Sequence, residues 1–262
     1  MKFDKIIAHL DSIYPKTLSS PGDPDGVSVC VDSSLEIQRV LVALDVTSEA
    51  IDYAVTNSFN CIITHHPLIF SPVSSLDSEA GGISRRVISL IRHNINAVSY
   101  HTRFDAAPGG TNDTLIKILG LDRNSEITPI FEDGIPAGRF VTFETPQDLS
   151  ELCADMKYKL GQFYRREVEL SVIPLNRYKA ISKLAVVTGN GASLIREAAA
   201  LGADAFLTGE CKYHAALDAH EDYGMYVISA GHYETEATAL SVLAESVRNG
   251  FPELDVVEYY VN

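Results

Sequence analysis

The sequence predicts an α/β protein built from two α/β domains of related topology, each founded on a pseudo-duplicated βαβ unit. Three observations carry this reading. Short apolar runs of strand length alternate with amphipathic stretches of helix length, the pattern of parallel strands covered by helices. The strand-like runs end in clusters of polar residues, as expected where a sheet delivers groups at its carboxyl edge. Lastly, the chain matches itself. An offset of 144 positions, from Thr64 to Thr208, lays Leu184-Ala185-Val186-Val187 on Val40-Leu41-Val42-Ala43, Ala198 on Ala54, and Ala205-Phe206-Leu207-Thr208 on Cys61-Ile62-Ile63-Thr64 with no gap. Identities are few, so what repeats is the pattern of apolar positions.

Residues 1–14 place Phe3, Ile6, Ile7, Leu10 and Ile13 on one face of an amphipathic helix, without the continuous apolar core of a secretory signal. Residues 16–25, rich in Ser, Pro, Gly and Asp, form a loop. Strands are expected over 27–31 and 40–45. Thr47 then caps a helix with Ile51, Ala54 and Val55 on its inner face, which leads into a strand over 61–66 and completes a right-handed βαβ unit. A flexible polar loop over 71–82 and a helix capped by Ser84, carrying Val87, Ile88 and Ile91, precede a strand over 95–100. Pro108-Gly109-Gly110 turns the chain into a helix with Leu115, Ile116 and Leu119 inward, closed by Gly120.

From Asp122 the texture changes, because Pro129, Gly134, Pro136 and Gly138 break any long element. Short strands over 139–142 and 168–172 flank a helix that starts at Thr145-Pro146-Gln147-Asp148, with proline at its first position. Its buried stripe is Leu149, Leu152, Met156 and Leu160, ending before Gly161. This stretch reads as an insertion between two halves of the chain. It gives a first α/β domain of residues 1–125 plus 224–262 and a second, smaller α/β domain of residues 126–223.

Composition narrows the function. A net charge of −14 and a pI near 4.9 argue against general nucleic-acid binding, which rests on clustered Lys and Arg. Cys30, Cys61, Cys153 and Cys211 are widely separated and form no C-x-x-C pair, so they read as thiols of a reducing compartment. With no apolar run of membrane-spanning length, a cytoplasmic protein with no membrane partner is expected.

The chemistry lies at three strand ends. Cys61-Ile62-Ile63-Thr64 empties into His65-His66-Pro67, where the proline ring keeps His66 extended. Adjacent residues of an extended chain point to opposite sides, so the doublet suits two neighbouring metal ions better than one. The strand over 95–100 ends in His101-Thr102-Arg103-Phe104-Asp105, and the strand over 226–230 in Gly231-His232-Tyr233-Glu234-Thr235-Glu236; both endings read His-x-x-x-carboxylate. A pseudo-twofold pair of βαβ units lets His65 and His66 of one copy meet His232 and Glu236 of the other, which puts the metal site between the two domains. In the second copy Gly209-Glu210 stand where His65-His66 stand in the first. Asp45 is either near the site or a helix cap. Gly189-Asn190-Gly191 lacks Walker or dinucleotide spacing and reads as a tight turn. His9, His93 and His220 lie on amphipathic helices and are given no function.

Taken together, Ile63-Thr64-His65-His66-Pro67-Leu68-Ile69-Phe70, His101-Thr102-x-x-Asp105, Leu207-Thr208-Gly209-Glu210 with His214, and Gly231-His232-Tyr233-x-Thr235-Glu236 resemble the Nif-three-like family, also known as GTP cyclohydrolase I type 2 homologues. The resemblance covers nearly the whole chain. It implies two related α/β domains, a dinuclear divalent-metal site and a toroidal homohexamer. Carried over by motif, the metal ligands are His65, His66, Asp105, His232 and Glu236. One departure stands out: many members carry Trp-Asp-Asn-x-Gly-Leu near the first strands, where this chain has no tryptophan and reads Asp23-Pro24-Asp25-Gly26-Val27.

A shell of His and carboxylate without thiolate fits Zn²⁺, Fe²⁺, Mn²⁺, Co²⁺ or Ni²⁺. Two such ions per chain acidify a shared water, so a metal-dependent hydrolase of a small molecule or nucleotide is the first expectation. A non-catalytic metal-binding or regulatory protein acting through a protein partner is the alternative. His101 is a candidate for a proton-transfer or supporting role, or is structural. Glu210 and His214 are candidate acid–base groups, or else an ordinary helix N-terminal carboxylate and a solvated imidazole. The cations near the motifs are Arg103 and Lys212, with Arg85 and Arg86 beyond them. They are few for a triphosphate, which favours slow, broad hydrolysis over efficient ring opening of GTP.

Overall fold

The computed structural model describes residues 1–79, 81–175 and 179–261. In chain order the elements are α1 (Phe3–Ile13), β1 (Gly26–Val29), β2 (Arg39–Ala43), α2 (Ser48–Thr56), β3 (Cys61–Thr64), α3 (Gly82–Arg92), β4 (Asn96–Ser99), α4 (Thr102–Ala106) and α5 (Thr111–Leu119). Then come β5 (Ser125–Glu132), β6 (Ile135–Asp148), α6 (Leu149–Tyr164), β7 (Ser171–Ile173), β8 (Ala180–Val187), α7 (Ile195–Ala200) and β9 (Ala205–Thr208). The chain ends with α8 (Tyr213–Tyr223), β10 (Tyr226–Ser229), α9 (His232–Glu236), α10 (Leu240–Gly250) and β11 (Asp255–Tyr259). Among the described residues no helix is long and apolar enough to cross a membrane.

These elements form two compact units, Met1–Phe104 with Leu240–Asn262, and Asp105–Ala239. The first holds a five-stranded sheet in the order β1-β4-β3-β2-β11, parallel except for β1. Every residue of β3 and β4 is buried, which is why both read as unbroken apolar or small-residue runs. Helices α2 and α3 cover one face, closing Ile51, Ala54, Val87 and Leu90 over Leu41, Ile62 and Ala97. The second unit holds a six-stranded sheet, β5-β6-β8-β9-β10-β7, whose three parallel strands β8, β9 and β10 are flanked by antiparallel partners. Leu115 and Leu119 of α5 and Leu149, Leu152 and Met156 of α6 pack one face of it. Ala198 of α7 and Ala216 and Ala219 of α8 pack the other.

The internal match extends to the hydrogen-bond register. Val40 pairs Cys61 and Leu184 pairs Ala205; Cys61 pairs Asn96 and Ala205 pairs Tyr226. An antiparallel edge strand then follows in each sheet, β1 on β4 and β7 on β10.

Several expectations need correcting. The limits 1–125 with 224–262, and 126–223, differ from the observed units, and the second unit is the larger. The reason is packing: α5 closes the core of the second sheet, and β10 is the parallel neighbour of β9. Thr145 to Asp148 do not open a helix. They end β6, which bulges after Thr142 and resumes pairing at Gln147, and Asp148 itself caps α6 by accepting from Ser150 N at 2.9 Å and Glu151 N at 3.0 Å. The helix runs past Gly161 to Tyr164. Likewise α3 begins behind Gly81, and the Ser84 hydroxyl donates to Ser75 O instead of capping. Ala80, within the loop expected over 71–82, lies outside the described residues.

Candidate metal centre

In the first unit the site begins where β3 leaves the sheet. His65 N and His66 N still donate to Ala43 O and Leu44 O of the neighbouring strand, at 3.3 and 2.9 Å, and the Thr64 hydroxyl donates to His66 O at 2.7 Å. The backbone bends at both histidines, so the alternation expected of an extended chain does not hold. Their rings stand together instead, with centroids 4.9 Å apart. His101 joins them at 5.2 Å from His65 and 5.6 Å from His66. One ligand atom from each of the three imidazoles falls within 4.8 Å of the others.

Each ring is braced at the same nitrogen. His65, 1% exposed, sets Nδ1 at 3.0 Å from Tyr100 O, a pure acceptor, so Nδ1 carries the hydrogen and Nε2 the lone pair. His66 Nδ1 donates to Asp45 Oδ1 at 2.9 Å. His101 Nδ1 donates to Asp23 Oδ1 at 2.8 Å. A carboxylate or carbonyl behind an imidazole is the usual support of a metal-ligating histidine, since it fixes the tautomer and the ring plane. Asp45 is therefore no helix cap; that task falls to Thr47, whose Oγ1 accepts from Ala50 N at 3.0 Å.

Asp23 was not foreseen. Burial alone raises its pKa, but hydrogen bonds from His101 and from the hydroxyl and amide of Thr102 outweigh that and hold it below the usual carboxylate range. The signal was present in Gly22-Asp23-Pro24-Asp25-Gly26-Val27, which keeps the Asp of Trp-Asp-Asn-x-Gly-Leu. Next to it Arg103, 3% exposed, places Nε at 2.6 Å from Asp25 and Nη1 at 2.7 Å from Asp11, with its guanidinium over the Tyr100 ring. Arg103, expected among the cations near the motifs, is thus spent on the fold and is not a cation for phosphate. Arg86 is likewise engaged, donating to Val46 O at 2.8 Å.

The second unit gathers a different set. His232 opens α9, and its Nε2 lies 3.0 Å from Oε2 of Glu236 one turn later; its Nδ1 lies 3.5 Å from Oε2 of Glu210. Glu236 is 5% exposed. Its carboxylate fits because Gly189, at φ 63°, has no Cβ: one built there would collide with Glu236 Oε1. The turn Gly189-Asn190-Gly191 therefore has a role that its spacing did not disclose. Asp105 accepts from the Thr111 hydroxyl, which also meets Thr188 Oγ1 at 2.9 Å, and Asn112 Nδ2 donates to Asp105 O at 3.0 Å. Glu210 thus sits behind His232 much as Asp45 sits behind His66. His214 is exposed on α8, and among the described residues no hydrogen bond, ion pair or ring contact joins it to His232 or Glu236.

The donors fit borderline divalent transition ions: imidazole nitrogens braced at Nδ1 and the carboxylate oxygens of Asp105 and Glu236, with no sulfur among them.

All of the chain, residues 1–262, matches the Duf34/NIF3 (NGG1p interacting factor 3) family. It is 33% identical over 252 residues to the GTP cyclohydrolase 1 type 2 homolog of Clostridium perfringens, covering 95% of this chain and 92% of that one. Its fold is similar to that of the Staphylococcus aureus hypothetical protein SA1388, with a TM-score of 0.85 and 27% identity over 100% of this chain and 97% of that one. Reduced HcgD from Methanocaldococcus jannaschii is similar at a TM-score of 0.81 and 27% identity, over 98% of this chain and 97% of that one. With its motifs, its duplicated sheets and its imidazole cluster accounted for, the chain belongs to the Duf34/NIF3 family.

Proposed function

We propose that this protein is a dinuclear metal-dependent hydrolase of a small molecule or nucleotide, with His65, His66, Asp105, His232 and Glu236 as ligands and His101 as a further one. The observation that carries the reading is the cluster of three imidazoles in the first unit, each braced at Nδ1. Divalent ions held there supply an acidified water at neutral pH. The chain's own groups do the rest. Tyr100 O, Asp45 and Asp23 keep the hydrogens on Nδ1 and aim the Nε2 lone pairs, while Glu210 is placed to hold a proton on Nδ1 of His232. This moves His101 and Glu210 from acid–base catalysis to metal binding and its support, and leaves His214 without an assigned step.

Because Arg103 is buried in carboxylates, one of the few side-chain cations near the motifs is closed to a triphosphate, which favours slow, broad hydrolysis over efficient ring opening of GTP. A second reading, a non-catalytic metal-binding protein acting through a protein partner, is favoured by the family's own description as an interacting factor. The cytoplasmic homohexamer expected from the resemblance belongs to the same proposal, and sedimentation of the purified protein reads the oligomer. Elemental analysis tests the site: two divalent ions per chain are expected, at least one lost in Glu236→Gln and both in a His65→Ala, Glu236→Gln double variant. Full occupancy in the double variant removes the ligand assignment. Metal binding with no hydrolysis of any nucleotide selects the second reading.

A further inference from the structure

We infer that Phe70 is the platform on which a flat heteroaromatic group, the base of a nucleoside or nucleotide, is laid beside the imidazole cluster. This rests on the metal-site reading and names its substrate class. After His66 the chain is pinned: Pro67 is buried, Leu68 is 6% exposed, and Ile69 packs against the core of the first sheet. Phe70, next in line, is 63% exposed. Its ring stands 79° to that of His101 with centroids 6.1 Å apart, so this exposed ring borders the cluster.

Single exposed apolar side chains are ordinary on protein surfaces, and Phe131 and Leu175 are of that kind. Phe70 differs in its neighbours. An apolar wall beside a few convergent polar groups is the build of a small-molecule site, and bases stack on such rings whatever their hydrogen-bonding edges. Behind the imidazoles stand the carboxylates of Asp23 and Asp45, while Arg103 and Arg86 are engaged elsewhere, so the apolar ring of Phe70 is what this side of the cluster offers to the flat part of a ligand.

The chain has no tryptophan, so Phe70→Trp creates a single indole reporter at this position. In the metal-loaded variant, guanosine should quench its emission saturably and ribose should not. Equilibrium dialysis of guanosine against metal-loaded wild type and Phe70→Ala should show about a tenfold or greater loss of affinity, the scale of one base stacked on one ring. Unchanged guanosine affinity in Phe70→Ala overturns the inference. Metal content measured on the same samples separates the two readings. A fully loaded wild type that does not bind guanosine sinks this inference alone, whereas a wild type that takes up no metal sinks both.

Discussion

The two sheets share three parallel strands in one register and part company at the residues immediately beyond them. After β2 and β3 the first unit presents Asp45, His65 and His66. At the same offsets after β8 and β9 the second presents Gly189, Gly209 and Glu210. In the first copy, side chains occupy the space at the strand ends and brace one another. In the second, backbone occupies it: a Cβ on Gly209 would stand 2.7 Å from Gly189 O and 2.8 Å from His232 Cα. One scaffold thus delivers imidazoles from its strands in one copy, and in the other clears room for a carboxylate delivered from a helix. The fold decides where groups arrive, and two or three residues per strand end decide what they are.

The sharpest way to break this comparison is to give the second copy a side chain. Gly209→Ala forces backbone against backbone, for which overpacking costs of about 3 kcal/mol are expected. A urea denaturation midpoint measures it, and a loss under about 1 kcal/mol means that the glycine is not required. The supporting carboxylates offer a finer test. Asp45 meets His66 at 2.9 Å, whereas Glu210 meets His232 at 3.5 Å from a side chain 60% exposed. Asp45→Asn should therefore lower metal affinity about tenfold and Glu210→Gln clearly less, by chelator competition. Equal losses make the two supports equivalent.

The smallest effect concerns thiols. Cys61 opens β3 fully buried, and burial pushes its thiol far above the ordinary range. Cys211, just beyond the end of β9, is raised by burial to a lesser degree. A raised pKa means less thiolate at a given pH, so alkylation of Cys211 should keep accelerating at pH values where an ordinary thiol has levelled off. Exposed Cys30 should react without unfolding, and Cys61 only with it. Mass spectrometry of the labelled chain at several pH values reads all three.

Much of the fold was legible because parallel strands buried on both faces leave unbroken apolar runs. That is how β2, β3, β8 and β9, and the offset relating them, could be found. Thr47 as a cap and Gly120 as a helix stop were legible for local reasons, a side-chain acceptor and a left-handed residue at φ 61°. What failed was long-range. Pro146 suits a first helical turn by propensity, yet the pairing of Gln147 and Asp148 with β8 overrides it. The units were misdivided because α5 joins by its contacts a sheet whose strands come later in the chain. At the site the histidines and carboxylates that follow the strand ends could be read from the sequence. Their supports could not, since Asp23 and His101 are 78 residues apart and nothing local marks the bond.

The edge strand β11 also orders events in time. It pairs in parallel with β2, although the whole second unit lies between them in the chain. During synthesis, domains fold as they emerge, so the strands carrying the imidazoles are made early and their sheet is completed late. Until residue 259 is free of the ribosome, the hydrogen-bonding edge of β2 lacks this neighbour and is open to other extended chains. The nascent protein thus depends on its final strand to close the sheet that bears its histidines, and chains stalled within the second unit should be the ones that need a chaperone.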